Sequence, residues 1–284
     1  MAVISETTVA LVEGIAAEAE RVLTPCGEGT MVWRCWGSGP PLVLLHGGYG
    51  SWTHWIRNVL PLSRQFTVIA PDLPGLGESA TPPEPWTAEG LAAIIVAGLD
   101  IVLARSASRV TPHLAGFSFG GVIGGNVAAQ LGDRLSGFTV VGSNGLGLER
   151  SPTPLHRVAP GAGEAEEFAT HRYNLSQLMI ADPDKIDELA LYLQKTNHAR
   201  ARMRSRRFSR SGALVEALPR ITARLDGIWG ERDRTAVPHL AERARVLRGF
   251  QPNARFAVVP GAGHWVAFEA ADRFNELIAE FAAG

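Results

Sequence analysis

The sequence predicts an α/β fold built on one mostly parallel sheet, and three observations carry that expectation. Short apolar runs recur along the chain, segments with apolar residues at helical spacing separate them, and glycine-rich turns follow several of the runs. A strand covered on both faces reads as a continuous apolar run, because crossover helices lie on either side of a parallel sheet. Strands alternating with helices therefore mean βαβ units. A length of 284 residues suits one such domain with an insertion.

The elements follow in order. Val9, Val12, Ile15, Ala16, Ala19, Val22 and Leu23 stand at helical spacing and predict an amphipathic N-terminal helix over an edge of the core. Met31 to Trp36 and the run Pro41 to Leu45 read as strands, the second ending at His46-Gly47-Gly48. Trp52 to Ser63 reads as a helix and Phe66 to Ala70 as a buried strand. A helix near Ala88 to Ala104, a strand at His113 to Ala115, a helix from Phe119 to Leu131 and a strand at Phe138 to Val141 continue the alternation. From Asn144 to about Pro219 the pattern changes: Gly and Pro cluster at Ser151 to Gly163, then a polar stretch of helical composition runs from Glu164 to Phe208. Strands resume at Leu225 to Trp229 and Arg255 to Val259, and a helix from Asp272 to Ala283 closes the chain. Residues 1–143 and 220–284 thus form one core domain, and residues 144–219 a helical insertion in it.

Apolar residues make up 46% of the chain and charged residues 19%, as in an ordinary globular protein. A net charge of -1 provides no global field for nucleic acid or an anionic membrane, so a small molecule is the expected partner. No charge-free run approaches the roughly 18 apolar residues of a membrane span. The N-terminal stretch carries Glu6, Glu13, Glu18 and Glu20 without a basic leader, unlike a secretory signal, and cytoplasmic residence is the expectation. Cys26 and Cys35 have no metal-ligand or redox spacing and are too few for a disulfide framework. Neither a metal nor a cofactor is expected, and the sequence leaves a monomer and a homo-oligomer equally open.

Gly116-Phe117-Ser118-Phe119-Gly120 has the G-x-S-x-G form of a nucleophile elbow, a strained strand-to-helix turn that lifts a serine hydroxyl above the sheet. The pentapeptide alone is a weak signal. Its place between a predicted strand and a predicted helix is the context the motif requires. A serine hydroxyl is a poor nucleophile until a base takes its proton. His264, in a glycine-rich loop after the last predicted strand, is the candidate among eight histidines; His54, His113, His156, His171, His198 and His239 are read as structural or solvated. The acid that orients the imidazole is Asp233, in the loop after the strand ending at Trp229, with Glu231 as its near competitor. Backbone donors for an oxyanion are available at Phe119, directly after the serine, and at Gly48 in the loop His46-Gly47-Gly48-Tyr49-Gly50.

Together these motifs resemble the α/β-hydrolase superfamily over nearly the whole chain. Ala70-Pro71-Asp72-Leu73-Pro74-Gly75-Leu76-Gly77-Glu78-Ser79 joins the resemblance, with Asp72 and Ser79 read as loop-shaping residues. The resemblance implies an eight-stranded sheet with a helical lid inserted after the sixth strand. Members with an aspartate nucleophile open epoxides or remove halides; Ser118 stands at that position here, which leaves those chemistries aside. Two readings remain: hydrolysis of a small carboxylic ester, and carbon-carbon hydrolysis of meta-cleavage products, for which His264-Trp265 followed by Phe268-Glu269 and the stretch Asn174 to Met179 are similar. A carboxylate-bearing substrate would suit an arginine, and Arg200, Arg202, Arg204, Arg206, Arg207 and Arg210 crowd one segment that reads equally as a solvated basic face. The Gly-Gly-Tyr-Gly-Ser loop departs from the Gly- and Pro-rich form of the carbon-carbon hydrolases. Trp265, Tyr49, Arg200 and Arg204 are the candidates for substrate contact. A non-catalytic ligand-binding protein on the same fold is the third reading, since fold does not fix function.

Overall fold

A computed structural model describes residues 4–105, 110–149, 151–209 and 211–284. Arg210, one of the arginines singled out above, lies outside the described residues. Eight strands form one sheet: β1 (Glu20–Cys26), β2 (Gly29–Trp36), β3 (Pro41–Leu45), β4 (Thr67–Pro71), β5 (His113–Phe117), β6 (Gly137–Val141), β7 (Arg224–Gly230) and β8 (Phe256–Val259), in the spatial order β1-β2-β4-β3-β5-β6-β7-β8. β2 runs antiparallel to both β1 and β4, and every other pairing is parallel.

The alternation of side chains along a strand explains how one apolar run serves two cores. In β3, Val43 and Leu45 enter the cluster that holds Leu91, Ile95, Val122 and Phe138, whereas Leu42 and Leu44 enter the cluster of Trp36, Trp55, Val59 and Phe274 on the opposite face. The first cluster is covered by α3 (Ala88–Ala104), α4 (Phe119–Leu131) and α9 (Leu240–Phe250); the second by α1 (Glu6–Ala17), α2 (Val59–Ser63) and α11 (Ala271–Ala283). Between β6 and β7 the chain forms α5 (Glu164–Leu178), α6 (Glu188–Ala199), α7 (Arg206–Ser209) and α8 (Ala213–Ala217), and α10 (Val266–Glu269) follows β8. Among the described residues no helix is long and apolar enough to cross a membrane.

Two expectations are corrected here. The N-terminal helix ends at Ala17, and Val22 and Leu23 belong to β1. From Val22 onward the burial has a period of two, with Val22, Thr24 and Cys26 inward and Leu23 and Pro25 outward, so pairing with β2 overrides the helical spacing. The expected helix from Trp52 to Ser63 is a 3₁₀ turn at Trp52–Trp55 followed by α2. It breaks at Asn58, whose amide donates to Ala267 O and Asn275 Oδ1, each at 2.9 Å, and so anchors the break to the C-terminal helices. The cysteines are free thiols, Cys26 buried and Cys35 half-buried; burial pushes the Cys35 thiol up to about 12, with the Glu20 charge adding to it.

Candidate active site

β5 ends at Phe117 and α4 begins at Phe119, so Ser118 alone makes the turn, at φ 52° and ψ -114°. Such backbone costs a non-glycine residue on the order of 1–3 kcal/mol and needs surroundings that hold it. Here Ser118 N donates to Val141 O at 2.9 Å and Ser143 Oγ donates to Ser118 O at 2.6 Å. The flanking glycines leave room for the turn: a Cβ on Gly116 would stand 2.4 Å from Gly120 O, and one on Gly120 would stand 2.3 Å from Leu45 O.

His264 reaches Ser118 from the loop after β8. Its Nε2 lies 3.0 Å from Ser118 Oγ and its Nδ1 2.9 Å from Asp233 Oδ2. Asp233, in the loop after β7, is fully buried, and its Oδ1 accepts from Thr235 N and Thr235 Oγ1, each at 2.8 Å. With one carboxylate oxygen occupied by Thr235, the other is left for the imidazole. This pattern assigns the proton to Nδ1 and leaves Nε2 free to accept the serine proton. Glu231 has other work: its Oε2 accepts from Gly261 N at 2.8 Å. Asp226 points away and pairs with Arg224 and Arg255 at 3.1 and 2.7 Å.

The loop after β3 approaches the same point. Gly47 N donates to His54 Nδ1 at 3.1 Å, so His54 carries its proton on Nε2. Burial, reinforced by the charges of His46 and His264, holds His54 well below the usual imidazole range, and it stays neutral. Among the described residues the N–H groups of Gly48 and Phe119 have no acceptor, and a Cβ on Gly48 would lie 3.5 Å from Phe119 Cβ. Gly48 and Phe119, whose N–H groups are free, are thus neighbours. Tyr49, at φ 52°, stacks on His198 of α6 with ring centroids 5.0 Å apart. Asp72 accepts from Trp52 N and Glu78 N, and Ser79 Oγ from Val32 N, so both shape the neighbouring loops.

The remaining candidates have other partners or face solvent. Trp265 is buried, its backbone N–H donates to Met179 O at 2.7 Å and its indole N–H to His54 O at 2.8 Å, and its ring stacks on Phe268. With both donors committed, it packs the His264 loop. Arg200 is half exposed and stands 4.0 Å from Glu78 Oε1. Arg204 is exposed and has no ion pair among the described residues. Arg202 is spent on the carbonyls of Gly77 and Ser79, and Arg207 lies over the Trp86 ring. A surface cleft of about 650 Å³ beside Arg57, Lys185 and Arg273 lies apart from the Ser118–His264–Asp233 line.

Several contributors escaped the sequence reading. Thr235, two residues after Asp233, follows the Asx-turn spacing and was legible in principle. Glu269 has no role that the sequence pattern assigns. It is buried and accepts from Gly263 N at 2.7 Å, from Asp182 N at 2.8 Å and from Ala181 N at 3.0 Å, which joins the His264 loop to the end of α5. Ser205, buried against Gly48, has no sequence signal at all.

The comparisons with known proteins agree with this architecture. Residues 42–277 match the model of the Alpha/beta hydrolase family, and the chain belongs to that family. It is 31% identical over 259 residues to the dihydrolipoyllysine-residue acetyltransferase component of an acetoin cleaving system from Pseudomonas putida, covering 86% of this chain but only 63% of that protein's length. It is 27% identical over 268 residues to a 2-hydroxy-6-oxo-6-phenylhexa-2,4-dienoate hydrolase from Burkholderia cepacia, covering 87% of this chain and 89% of that one. Among solved structures, a thermophilic esterase from Thermogutta terrifontis superposes with a TM-score of 0.67 at 23% identity over 93% of this chain and 98% of that one, a likeness of fold.

Proposed function

We propose that the chain is a serine hydrolase acting on a small carboxylic ester through an acyl-enzyme. Ser118 Oγ attacks the acyl carbon while His264 Nε2 takes its proton, and Asp233 stabilises the imidazolium that forms. The amides of Gly48 and Phe119 receive the oxyanion, each worth on the order of 10²- to 10³-fold in rate. His264 then returns the proton to the departing alkoxide, and water, deprotonated by the same ring, releases the acid. Residues 144–219 act as a lid over this edge of the sheet. The cycle needs no metal or cofactor.

The observation that carries the reading is the unbroken hydrogen-bonded line from Ser118 through His264 to Asp233, with its 3.0 and 2.9 Å contacts. Ser118→Ala is expected to lower turnover of a short p-nitrophenyl ester by roughly 10⁴-fold or more, the scale of triad knockouts. A variant that kept most of the activity would remove the assignment.

A second reading keeps the same residues and cuts a carbon-carbon bond in a 2-hydroxy-6-oxo-dienoate, and the likeness to the Burkholderia cepacia hydrolase favours it. The ester reading stands first because Arg200, Arg202 and Arg207 are exposed or committed elsewhere, which provides no buried clamp for a substrate carboxylate among them.

A further inference from the structure

Ser205 enters the site from the segment between β6 and β7, far in sequence from the loops that form the rest of it. The residue is only 2% exposed, and among the described residues its hydroxyl has no hydrogen-bond partner. The Oγ atom itself is not one of the fully buried unpaired polar atoms, so the hydroxyl opens on free space where something can meet it. Its position says what that is: a Cβ built on Gly48 would lie 2.2 Å from Ser205 Oγ, so the hydroxyl rests directly on the glycine whose N–H is free. The same imaginary Cβ is 3.5 Å from Phe119 Cβ, so Ser205 Oγ and Phe119 lie on the same side of Gly48, and Phe119 directly follows Ser118.

Ser205 is also anchored from both sides. Upstream, Arg202 N donates to Gly75 O at 2.9 Å, the Arg202 guanidinium binds the carbonyls of Gly77 and Ser79, and Met203 is buried. Downstream, Phe208 packs on Phe119 with ring centroids 5.6 Å apart, and its N–H bonds Ser205 O at 3.1 Å. A donor fixed before the reaction loses little in reorganisation as charge develops, which is what makes such groups effective.

We infer that Ser205 is a third donor of the oxyanion site, its hydroxyl meeting the acyl oxygen alongside the amides of Gly48 and Phe119. The inference rests on the serine-hydrolase reading above. Ser205 thereby ties rate to the helical segment, because the site is complete only when residues 202–208 lie against the loop 75–79 and the start of α4.

The test compares wild type, Ser118→Ala, Ser205→Ala and Ser205→Cys in the full chain. Three readouts are needed: rate of labelling by a fluorophosphonate, kcat and KM for p-nitrophenyl acetate, and Ki for an aryl trifluoromethyl ketone, which forms a tetrahedral oxyanion on the serine. Ser205→Ala is expected to lower kcat about 100-fold, the low end for removal of one oxyanion donor, with KM changed less than threefold and ketone affinity weakened in proportion. Ser205→Cys has nearly the same shape but a weak S–H donor, and is expected to fall with it. A loss of kcat under tenfold, or a larger loss with unchanged ketone affinity, overturns the role of Ser205. Labelling of Ser118→Ala at the wild-type rate, or no labelling of wild type, overturns the nucleophile assignment instead and is read separately.

Discussion

The carboxyl edge of the sheet and the helical segment between β6 and β7 meet at the same site, yet they are fixed by different forces. Ser118, Asp233 and His264 each follow a strand of the sheet, whose residues are buried on both faces in β3, β5 and β6. The segment is thinner in apolar contact: α5 buries Phe168, His171 and Leu175, and α6 buries Ala190, Leu191, Leu193 and Asn197. Polar tethers make up the difference. Asp187 pairs with Arg57, Glu188 accepts from Ser5, Arg202 binds two loop carbonyls, and Glu269 accepts three backbone N–H groups. Burial resists any single substitution only through volume, whereas a tether fails when one group is removed.

Glu269 puts that contrast under the greatest strain. Glu269→Ala leaves the N–H groups of Ala181, Asp182 and Gly263 without their acceptor in a buried position, and a loss of about 3–4 kcal/mol is expected from three unsatisfied donors. Glu269→Gln keeps one acceptor oxygen and is expected to lose about half of that. Urea denaturation measures both. If alanine cost less than about 1 kcal/mol, the segment would be held by packing after all, and the contrast drawn above would collapse.

What was legible in the sequence follows the same division. The strands β3 to β6 were readable because doubly covered strands are continuous apolar runs, and the elbow was readable because its glycines are demanded by backbone contacts of 2.3 to 2.4 Å. β1 was misread because Val22 and Leu23 fit a helical stripe as well as a strand until pairing with β2 decides the matter. α9 went unread because its buried set is Arg243, Ala244 and Leu247, a short stripe that includes a charged residue. In the segment, the arginine cluster drew attention by composition, while Ser205 drew none. Its position depends on how Arg202 and Phe208 anchor the chain on loops more than a hundred residues away in sequence for Arg202 and about ninety for Phe208. Nothing local in Arg204-Ser205-Arg206 records that.

Acidification should separate the two regions by a smaller amount. In the core, burial holds His46 and His113 down at about 4, with the Arg224 charge adding to the effect on His113. Above pH 6.5 these rings are neutral in the folded and unfolded chain alike. Between pH 6.5 and about 4 the unfolded chain binds protons that the native rings refuse, so stability falls as the pH drops, and below about 4 the loss is complete. Each ring accounts for about 3 kcal/mol over that window. Guanidinium midpoints at pH 7.5 and 4.5 would show it, and His113→Gln should flatten the dependence by its share. An unchanged dependence in that variant would show that His113 does not carry the acid sensitivity.

The smallest effect is expected where the sequence drew the most attention. Arg200 is half exposed and 4.0 Å from Glu78, an ion pair that is worth about 0–1 kcal/mol at a surface. Arg204 is exposed as well. Arg200→Ala and Arg204→Ala are therefore expected to leave kcat/KM for a neutral ester within about twofold, a difference under 0.5 kcal/mol. The informative arm is a dienoate assayed with and without its carboxylate. If either variant raised KM about tenfold for the carboxylate form alone, that arginine would turn inward when substrate binds, and the carbon-carbon reading would gain the clamp it lacks. Equal KM values in all variants would mean that Arg200 and Arg204 stay in solvent when substrate binds, and the carbon-carbon reading would remain without a clamp from either.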